Sequence, residues 1–337
     1  MPEGFTTTYR EVHQVNPPAR VEVGGSAADV LSVPGGFMGG FDLSIQLQVG
    51  CPGGCLFCYV PAGRFLAPAT VTGPGGRDWG YRVRHKYNAL EKFVRHLDRG
   101  DLADRTLYWS GVTDPYASPP MTTAGIWQAL CTALPGRRPR RLVVQTRFPA
   151  DRDVRLMAEY AKTTQPGDGG PPVVISVSIG TDREDLIRAW ERATPTYARR
   201  LETIQVLCRY GLYTVATLSP LGLWDDLPAA LSRLHTFGVA YLTVLPFKER
   251  TRSANTPRPF LEYLRREFPL LLDEMWQAER LAEARAVFGD GRVIVGQAGF
   301  ATLATPQNVM GQNVTASDVR RANAGQSNAG QTVEHIP

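Results

Sequence analysis

Three cysteines in one short segment are the residues of this 337-residue chain whose types and spacing most clearly predict chemistry. Cys51, Cys55 and Cys58 lie in the sequence Cys-Pro-Gly-Gly-Cys-Leu-Phe-Cys. Thiolates are soft ligands, and several of them close together favour zinc or an iron–sulfur cluster. A cluster used only for structure or electron transfer normally has four protein ligands, so three cysteines leave one iron of a 4Fe-4S cluster open. The segment therefore predicts a metal centre with a free position for a further ligand.

A zinc site and a non-enzymatic metal-binding module are the alternatives to such a cluster. Structural zinc takes four ligands, so His85 or Cys131 would have to complete the set. Neither residue stands at the spacing typical of a zinc finger. Cys131 and Cys208 both lie in apolar helical patterns, and we expect them to be small buried hydrophobic side chains. An iron–sulfur cluster is therefore the preferred interpretation.

The composition fits one cytoplasmic enzyme domain. Hydrophobic residues make up 43% of the chain, which is enough for a large core, and no apolar stretch reaches membrane-spanning length. The first residues lack the basic and apolar regions of a signal peptide, so we expect the reducing cytoplasm, where free thiols persist. Almost all of the positive charge behind the formal net charge of +5 is arginine. We interpret the one basic run, residues 137–141, as a solvated loop and expect no membrane partner.

Hydrophobic periodicity predicts six strands that alternate with helices. The predicted strands are 41–49, 106–110, 142–146, 173–179, 213–218 and 240–245. The predicted helices between them are 84–98, 121–134, 152–162, 183–210 and 226–237. This alternation implies an α/β fold of parallel strands with right-handed crossovers. The cysteines directly follow the first strand, and in such barrels the active site lies at the carboxyl ends of the strands.

The chain divides into four predicted regions. Residues 1–40 are rich in proline and glycine and form an N-terminal arm. Residues 41–250 form the barrel, and residues 251–310 form a C-terminal extension that completes the pocket, with a helical pattern at 259–288 and a strand at 293–295. Residues 311–337 consist mainly of small and polar residues and are expected to be a flexible tail.

The cysteine spacing, with Phe57 in the aromatic position before the last cysteine, resembles the signature of the radical S-adenosylmethionine (SAM) superfamily. Further segments, across roughly residues 42–246, resemble its spore photoproduct lyase-like branch. They are Lys86-Tyr-Asn-Ala89, Ser110-Gly-Val-Thr-Asp114-Pro-Tyr116, Arg147, Ser176-Val-Ser178 and the segment 193–204. The resemblance implies a partial (β/α)6 TIM-like barrel that holds a 4Fe-4S cluster and SAM. It also implies reductive cleavage of SAM to a 5'-deoxyadenosyl radical, which abstracts a hydrogen atom from the substrate.

The chemistry of SAM suggests a role for each matching residue. The metal ligands are Cys51, Cys55 and Cys58, and the predicted SAM-binding residues are Phe57, Ser110, Thr113, Asp114, Arg147, Ser178 and Arg200. Arg147 and Arg200 can offer guanidinium groups to the carboxylate or the ribose. Asp114 either accepts a hydrogen bond from the methionine amino group or caps the turn that follows it. The plausible substrate-lining residues are His13, Trp79, Tyr81, His85 and Lys248.

One departure from the branch bears on the substrate. Spore photoproduct lyase returns a hydrogen atom to its product from a cysteine just after the second strand, and residues 108–114 contain none. Cys131 is too far along the chain, so we predict a tyrosine donor. Tyr59, Tyr108 and Tyr116 are nearby in the sequence, and Tyr59 and Tyr116 are the predicted catalytic residues. Repair of a nucleic-acid lesion is therefore the less favoured alternative. The leading prediction is a biosynthetic enzyme, of the kind that makes antibiotics, which acts on a nucleoside-related or nucleotide-sugar-related small molecule, with C–C bond formation one such reaction. It would receive its electron from flavodoxin or ferredoxin.

Overall fold

A computed structural model describes residues 20–26, 28–34, 38–62, 69–73, 78–247 and 256–304. The predicted tail at 311–337 and the first 19 residues of the predicted arm lie outside the described residues, as do His13 and Lys248. Among the described residues, no helix combines the length and the apolar character needed to cross a membrane.

The strands and helices alternate along most of the described chain. The strands are Arg20–Ser26 (β1), Leu31–Ser32 (β2), Leu43–Ile45 (β3), Gln48–Val49 (β4), Arg82–Lys86 (β5), Thr106–Trp109 (β6), Arg141–Thr146 (β7), Val173–Ser178 (β8), Tyr213–Leu218 (β9), Tyr241–Val244 (β10) and Val293–Val295 (β11). The α-helices are Ala69–Thr72 (α1), Ala89–Arg99 (α2), Pro120–Thr132 (α3), Val154–Thr163 (α4), Glu184–Trp190 (α5), Tyr197–Arg209 (α6), Leu227–Phe237 (α7), Arg258–Glu267 (α8), Glu274–Phe288 (α9) and Gly296–Ala301 (α10). This alternation confirms the predicted α/β class.

The main sheet has the strand order β11-β10-β9-β8-β7-β6-β3-β2. Every neighbouring pair from β11 to β3 is parallel, and β2 is antiparallel to β3. The described part of the sheet thus has one parallel strand more than the six that periodicity predicts, because β11 pairs with β10. A smaller sheet has the order β1-β5-β4.

The two faces of the main sheet bury different layers. On one face, residues such as Val144, Ile175 and Leu242 join the core formed with the helices. This burial follows from the sequence of the helices, for example in α2, where Phe93 and Leu97 are buried four residues apart. The other face is covered by residues from both ends of the described chain. Its cluster contains Met38, Phe41, Tyr108, Val143, Val174, Val215, Ala240, Tyr241, Phe300, Leu303 and Ala304.

Arg141 fixes the C-terminal end of this second layer. Its side chain is only 1% exposed, and it donates to the carbonyl oxygen of Ala304 at 3.2 Å and to Asp168 Oδ1 at 3.0 Å. A buried arginine that is paired in this way ties the segment after β11 to the amino end of β7. The segment is therefore a fixed part of the sheet's packing.

Several predicted elements have different boundaries in the structure. The predicted first strand divides into β3, in the main sheet, and β4, which pairs with β5 in the smaller sheet. The predicted helix from residue 84 begins only at Ala89, because residues 82–86 form β5. The predicted helix 183–210 is two helices, since Pro195 in the intervening segment lacks the N–H that a continuous helix needs. A short 3-10 helix, Pro269–Leu272, similarly separates α8 from α9.

Candidate metal and cofactor site

A cavity of about 220 Å³ lies at the carboxyl ends of the parallel strands. The three cysteines Cys51, Cys55 and Cys58 contribute to its wall. The other predicted site residues that line it are Phe57, Tyr59, Ser110, Thr113, Asp114, Arg147 and Ser178. The remaining wall includes Met38, Trp79, Tyr108, Gln145, Phe148, Thr194, Ser219, Pro220, Leu245 and Phe300. The structure therefore brings together ten of the twelve predicted site residues.

Hydrogen bonds to neighbouring segments hold the cysteine loop in place. Gln48, which precedes the loop and is fully buried, donates from Nε2 to Thr113 Oγ1 at 2.8 Å. Thr113 Oγ1 in turn donates to the carbonyl oxygen of Gly50 at 2.8 Å. On the other side, Leu56 N donates to the carbonyl oxygen of Trp190 at 2.8 Å, and Cys55 forms a β-bridge with Glu191. The loop is thus fixed between the end of β6 and the segment that follows α5.

Two glycines make a close backbone contact beside the loop. Gly54 and Gly80 have φ values of +57° and +89°, in the left-handed region that favours glycine. A Cβ atom on Gly80 would lie 2.5 Å from the Cα atom of Gly54. A larger residue at position 80 therefore requires a shift of the backbone, whereas a Cβ atom at position 54 would lie 3.1 Å from Arg192 Nε.

The three cysteines line one cavity, and each residue is partly exposed. Desolvation of the thiol raises the pKa of Cys51 and of Cys58 to about 12 and also raises the pKa of Cys55. Each thiol also raises the pKa of one of the others. Arg147 opposes these shifts at Cys55 and Cys58, because its positive charge favours a thiolate.

The residue types of this donor set suit an iron–sulfur cluster. Desolvated thiols need a positive group to become thiolates, and a cluster supplies one while it takes cysteine ligands. Neither proposed fourth zinc ligand is at the cavity. His85 lines a separate cavity with Asn88, and Cys131 donates from Sγ to the carbonyl oxygen of Leu156 at 3.4 Å. In the described part of the chain, no group of three or more His, Cys, Asp or Glu residues is arranged to hold a metal ion, and this includes the three cysteines of the loop.

Asp114 caps the turn after β6. Its Oδ1 accepts from Tyr116 N at 2.9 Å and from Thr146 Oγ1 at 2.6 Å, and its Oδ2 accepts from Arg147 N at 2.7 Å. Burial raises the pKa of Asp114, although these hydrogen bonds act in the opposite direction. The sequence leaves two roles open for Asp114, and these contacts are those of the turn cap. Through them, Asp114 joins the ends of β6 and β7.

The guanidinium group of Arg147 packs against an aromatic ring and has one N–H group without a hydrogen-bond acceptor. Its guanidinium carbon lies 5.1 Å from the centre of the Phe57 ring, and its Nη2 donates to the carbonyl oxygen of Ser219 at 2.5 Å. Its Nη1 is buried and has no hydrogen-bond partner among the described residues; the nearest carboxylate oxygen, Glu191 Oε1, is 3.9 Å away. Arg147 therefore presents an unused N–H donor and a positive charge at the cavity wall.

Arg200 lies outside the cavity lining, in contrast to the predicted contact with SAM. Its Nη2 donates to Glu191 Oε2 at 2.5 Å and to Thr194 Oγ1 at 2.6 Å. Both charged side chains are almost fully buried, with 1% of Arg200 and 4% of Glu191 exposed. Glu191 neutralises the arginine and is itself the residue that bridges to Cys55. Arg200 therefore stabilises the cysteine loop indirectly, through its ion pair with Glu191.

The two predicted catalytic tyrosines occupy different places. Tyr59 lines the cavity, and its hydroxyl donates to the carbonyl oxygen of Gly111 at 2.5 Å. Tyr116 is only 2% exposed, its hydroxyl accepts from Trp127 Nε1 at 2.8 Å, and it is not among the cavity residues. Tyr116 therefore lies outside the cavity at which the other predicted residues meet, because its short 3-10 helix (Pro115–Ala117) turns the ring into the core beside α3.

Gln145 is a cavity residue that sequence reasoning did not identify. It lies near the carboxyl end of β7, and its Oε1 accepts a hydrogen bond from the Tyr108 hydroxyl at 2.6 Å. Its Nε2 lies 3.5 Å from Ser178 Oγ. Val143, an apolar residue two positions before Gln145, faces the same side of the sheet. Side chains alternate between the two faces along a strand, so this alternation along β7 was the signal that could have identified Gln145.

No family model and no curated protein matches the sequence. Solved structures do match. A mutant of spore photoproduct lyase is 13% identical, with 87% of this chain and 92% of that chain covered and a TM-score of 0.50. The lyase complexed with dinucleoside spore photoproduct is 14% identical, with 74% and 66% covered and a TM-score of 0.47. SuiB of Streptococcus suis bound to S-adenosylmethionine is 12% identical, with 92% and 57% covered and a TM-score of 0.42.

The first of these matches extends over most of both chains. The chain has the fold of spore photoproduct lyase. The predicted resemblance to spore photoproduct lyase is thus confirmed at the level of the fold. At 13% identity the likeness to spore photoproduct lyase concerns the fold alone, so the roles of individual residues depend on the contacts described above.

Proposed function

We propose that this chain is a cytoplasmic radical SAM enzyme. The observation that supports this most strongly is the cavity at the carboxyl ends of the strands, whose wall holds three cysteines of one loop and the free donor of Arg147. When bound, a 4Fe-4S cluster would supply an electron for cleavage of SAM to methionine and a 5'-deoxyadenosyl radical, which removes a hydrogen atom from the substrate. A small acidic one-electron carrier, flavodoxin or ferredoxin, is the proposed source of that electron.

Different residues of the cavity would hold the cluster and SAM. Cys51, Cys55 and Cys58 would hold the cluster. Arg147 would donate from Nη1 to the SAM carboxylate, because that N–H is the buried donor left without a partner. Phe57 keeps the guanidinium in place by stacking against it. Ser110 and Ser178, at the ends of their strands, offer hydroxyl groups to the ribose or the adenine.

Tyr59 is the proposed hydrogen donor to the product. It lines the cavity, as do its chain neighbour Cys58 and Tyr108. Burial raises the pKa of Tyr59 well above the usual value, so the hydroxyl keeps its hydrogen atom. A protonated tyrosine beside the cavity suits the return of a hydrogen atom in a chain without a cysteine at residues 108–114.

The proposed substrate is a small molecule related to a nucleoside or a nucleotide sugar, and the proposed setting is biosynthesis, including C–C bond formation. The support is the mixed character of the rest of the cavity wall. Tyr108, Gln145 and Ser178 offer neutral hydrogen-bonding groups, whereas Met38 and Phe300 offer apolar surface. Such a combination suits a heterocycle or sugar with both kinds of surface.

Lesion repair, as in spore photoproduct lyase, is the second candidate, and the shared fold favours it. Its chemistry needs a hydrogen donor in the cavity. The cysteines that line this cavity are the three of the loop, whereas Cys131 is hydrogen-bonded to Leu156 and Cys208 is fully buried in the helical core. Repair that depends on a cysteine donor is therefore less well supported than action on a small molecule.

The test is cleavage of SAM by the anaerobically reconstituted protein. Dithionite reduction should give methionine and 5'-deoxyadenosine in equal amounts, measured by liquid chromatography. Cys58→Ala should abolish both the iron and the cleavage, whereas Cys131→Ala should keep both, because Cys131 lies away from the cavity. A wild-type protein that holds four irons but yields no 5'-deoxyadenosine would refute the proposal in favour of a metal-binding module.

A further inference from the structure

The side chain of Gln145 presents an amide group to the cavity from β7. Its Oε1 accepts a hydrogen bond from the Tyr108 hydroxyl, on the neighbouring strand β6, at 2.6 Å. Its Nε2 lies 3.5 Å from Ser178 Oγ, beyond the usual range of about 2.7–3.2 Å for an N–H donor. The amide oxygen is therefore used within the protein, whereas the amide nitrogen makes only a long contact there.

Tyr108 holds a fixed position. It is only 2% exposed, and the centre of its ring lies 5.1 Å from that of Phe41 and 5.8 Å from that of Phe300. These two rings belong to the layer that covers the second face of the main sheet. Because the tyrosine ring is enclosed, its hydroxyl stays directed at Gln145 and keeps the oxygen of the amide on that side.

Strand β8, on the other side of Gln145, offers no shorter contact to Nε2 among the described residues. Ser176 is the partner of Gln145 in the strand register, but the Ser176 hydroxyl is hydrogen-bonded to Thr217 Oγ1 at 2.6 Å. A side-chain amide carries a pair of N–H groups. At least one N–H of Gln145 is therefore available to a molecule in the cavity.

We propose that Gln145 is a specificity-determining residue whose amide N–H donates to a carbonyl oxygen on the heterocycle of the substrate. Tyr108 is then a positioning residue, since it fixes which end of the amide faces the cavity. This role rests on the proposed function and deepens it, because it assigns the class of base that a nucleoside-related substrate carries. The apolar surface of Met38 and Phe300 in the same wall suits the ring of such a base.

The orientation of the amide determines which bases fit. With its oxygen already used, Gln145 can only donate to the cavity, so a carbonyl group of the base is satisfied and an amino group at the same place is not. A buried donor without an acceptor lowers affinity, because it has lost its hydrogen bonds to water. The expected substrate therefore has an oxo-substituted base, as in uridine or inosine, rather than an amino-substituted base, as in cytidine or adenosine.

The test measures the affinities of these four nucleosides for the anaerobically reconstituted protein by equilibrium dialysis, without reductant. Saturating SAM keeps adenosine out of the site proposed for SAM. Uridine differs from cytidine, and inosine from adenosine, by a carbonyl group in place of an amino group on the ring. The wild type should bind uridine or inosine about tenfold more tightly than its amino counterpart.

Two variants test the two residues separately. Tyr108→Phe keeps the ring but frees the amide oxygen, so the amide can rotate and accept as well as donate. The preference should then fall to less than about twofold. Gln145→Glu replaces the donor with a carboxylate that only accepts, so the preference should reverse in favour of the amino nucleoside. Iron content and SAM affinity should match the wild type in both variants, because neither residue is assigned to the cluster or to SAM.

Tyr160→Phe is the matched control. Tyr160 is also a fully buried tyrosine, but its hydroxyl donates to the carbonyl oxygen of Pro139 at 3.3 Å, and it is not among the cavity residues. Its substitution should leave the preference at the wild-type value.

A wild type that binds none of the four nucleosides, or that shows no preference between them, would overturn the inference. A preference that survives in Tyr108→Phe, or that falls equally in Tyr160→Phe, would do the same. Loss of iron or of SAM affinity from both Tyr108→Phe and Gln145→Glu would assign the pair a structural role instead.

SAM cleavage, measured on the same wild-type samples after reduction, separates these results from a failure of the proposed function. A wild type that cleaves SAM but does not discriminate between the nucleosides refutes the role of Gln145 alone. A wild type that yields no 5'-deoxyadenosine refutes the proposed function.

Discussion

The buried pair of Glu191 and Arg200 offers the sharpest test of how the cysteine loop is supported. The substitution Glu191→Gln removes the negative charge but keeps the shape of the side chain. It leaves the buried guanidinium of Arg200 without its counter-charge, and Arg147, 3.9 Å from Glu191 Oε1, loses the nearest carboxylate. We expect a large fall in the free energy of unfolding of the metal-free protein.

The contacts of Glu191 determine how large the fall in the free energy of unfolding should be. Its Oε2 accepts from Arg200 Nη2 at 2.5 Å and from Thr194 Oγ1 at 2.7 Å, and its side chain is 4% exposed. Breaking one partner of such a buried ion pair costs about 3–5 kcal/mol. The exposed pair of Arg258 and Glu262, with 89% and 56% of their side chains exposed, is the control. Glu262→Gln should cost less than about 1 kcal/mol, because water screens that pair.

The assay is urea unfolding of wild type and both variants at pH 7 and at pH 3. Burial alone would raise the pKa of Glu191, but Arg200 and Arg147 outweigh burial and lower it. A carboxylate with a lowered pKa contributes its stability above its ordinary value of 4.5, and the contribution falls as the pH drops through the lowered pKa. The difference between wild type and Glu191→Gln should therefore be full at pH 7 and smaller at pH 3. A cost below about 1 kcal/mol at pH 7, equal to that of Glu262→Gln, would refute this reasoning.

Two further substitutions test the loop and the proposed SAM contact. Gly80→Ala places a Cβ atom 2.5 Å from Gly54 Cα at a φ of +89°. This variant should lower the free energy of unfolding by about 1–3 kcal/mol and should reduce the iron content. Gly136→Ala is the control and should change neither quantity, because a Cβ atom there has no neighbour within 4 Å. Equal unfolding free energies for the two glycine variants would contradict the close contact. Arg147→Lys should keep the iron but weaken SAM binding about tenfold in equilibrium dialysis, because lysine lacks the planar guanidinium group. Arg199→Lys is the control and should bind SAM like the wild type, because Arg199 pairs with Asp151. Unchanged affinity in Arg147→Lys would contradict its proposed role.

The parts of the fold that follow from local patterns were predictable from the sequence. The buried strands β7, β8 and β9 are long runs of apolar residues between clear helices, and their predicted bounds differ from the structure by one residue at most. The cysteine motif was equally clear, because its signal is a short spacing along the chain. Strand β5 was missed because residues 82–86 are mostly charged or polar, and a helical period continues from them into α2.

The parts that depend on contacts between distant segments were not predictable in the same way. Arg200 is charged and lies in a helix, and a single sequence does not show that Glu191 is buried beside it. Tyr116 stands two residues after Asp114, yet the cap made by Asp114 turns its ring away from the cavity. Gln145 was missed because its signal is only its position on the inward side of β7. These side chains acquire their roles through partners 9 to 37 residues away.

The covering of the sheet's second face by residues 38–41 and 300–304 has a consequence for biosynthesis of the protein. The cysteine loop and the strands beside it leave the ribosome early, but Phe300 and Leu303 are translated only after every strand of the main sheet. Contacts between such distant segments form late in folding. Until the C-terminal segment is made, the second face of the sheet and the part of the cavity wall that Phe300 supplies must therefore stay open to the surroundings.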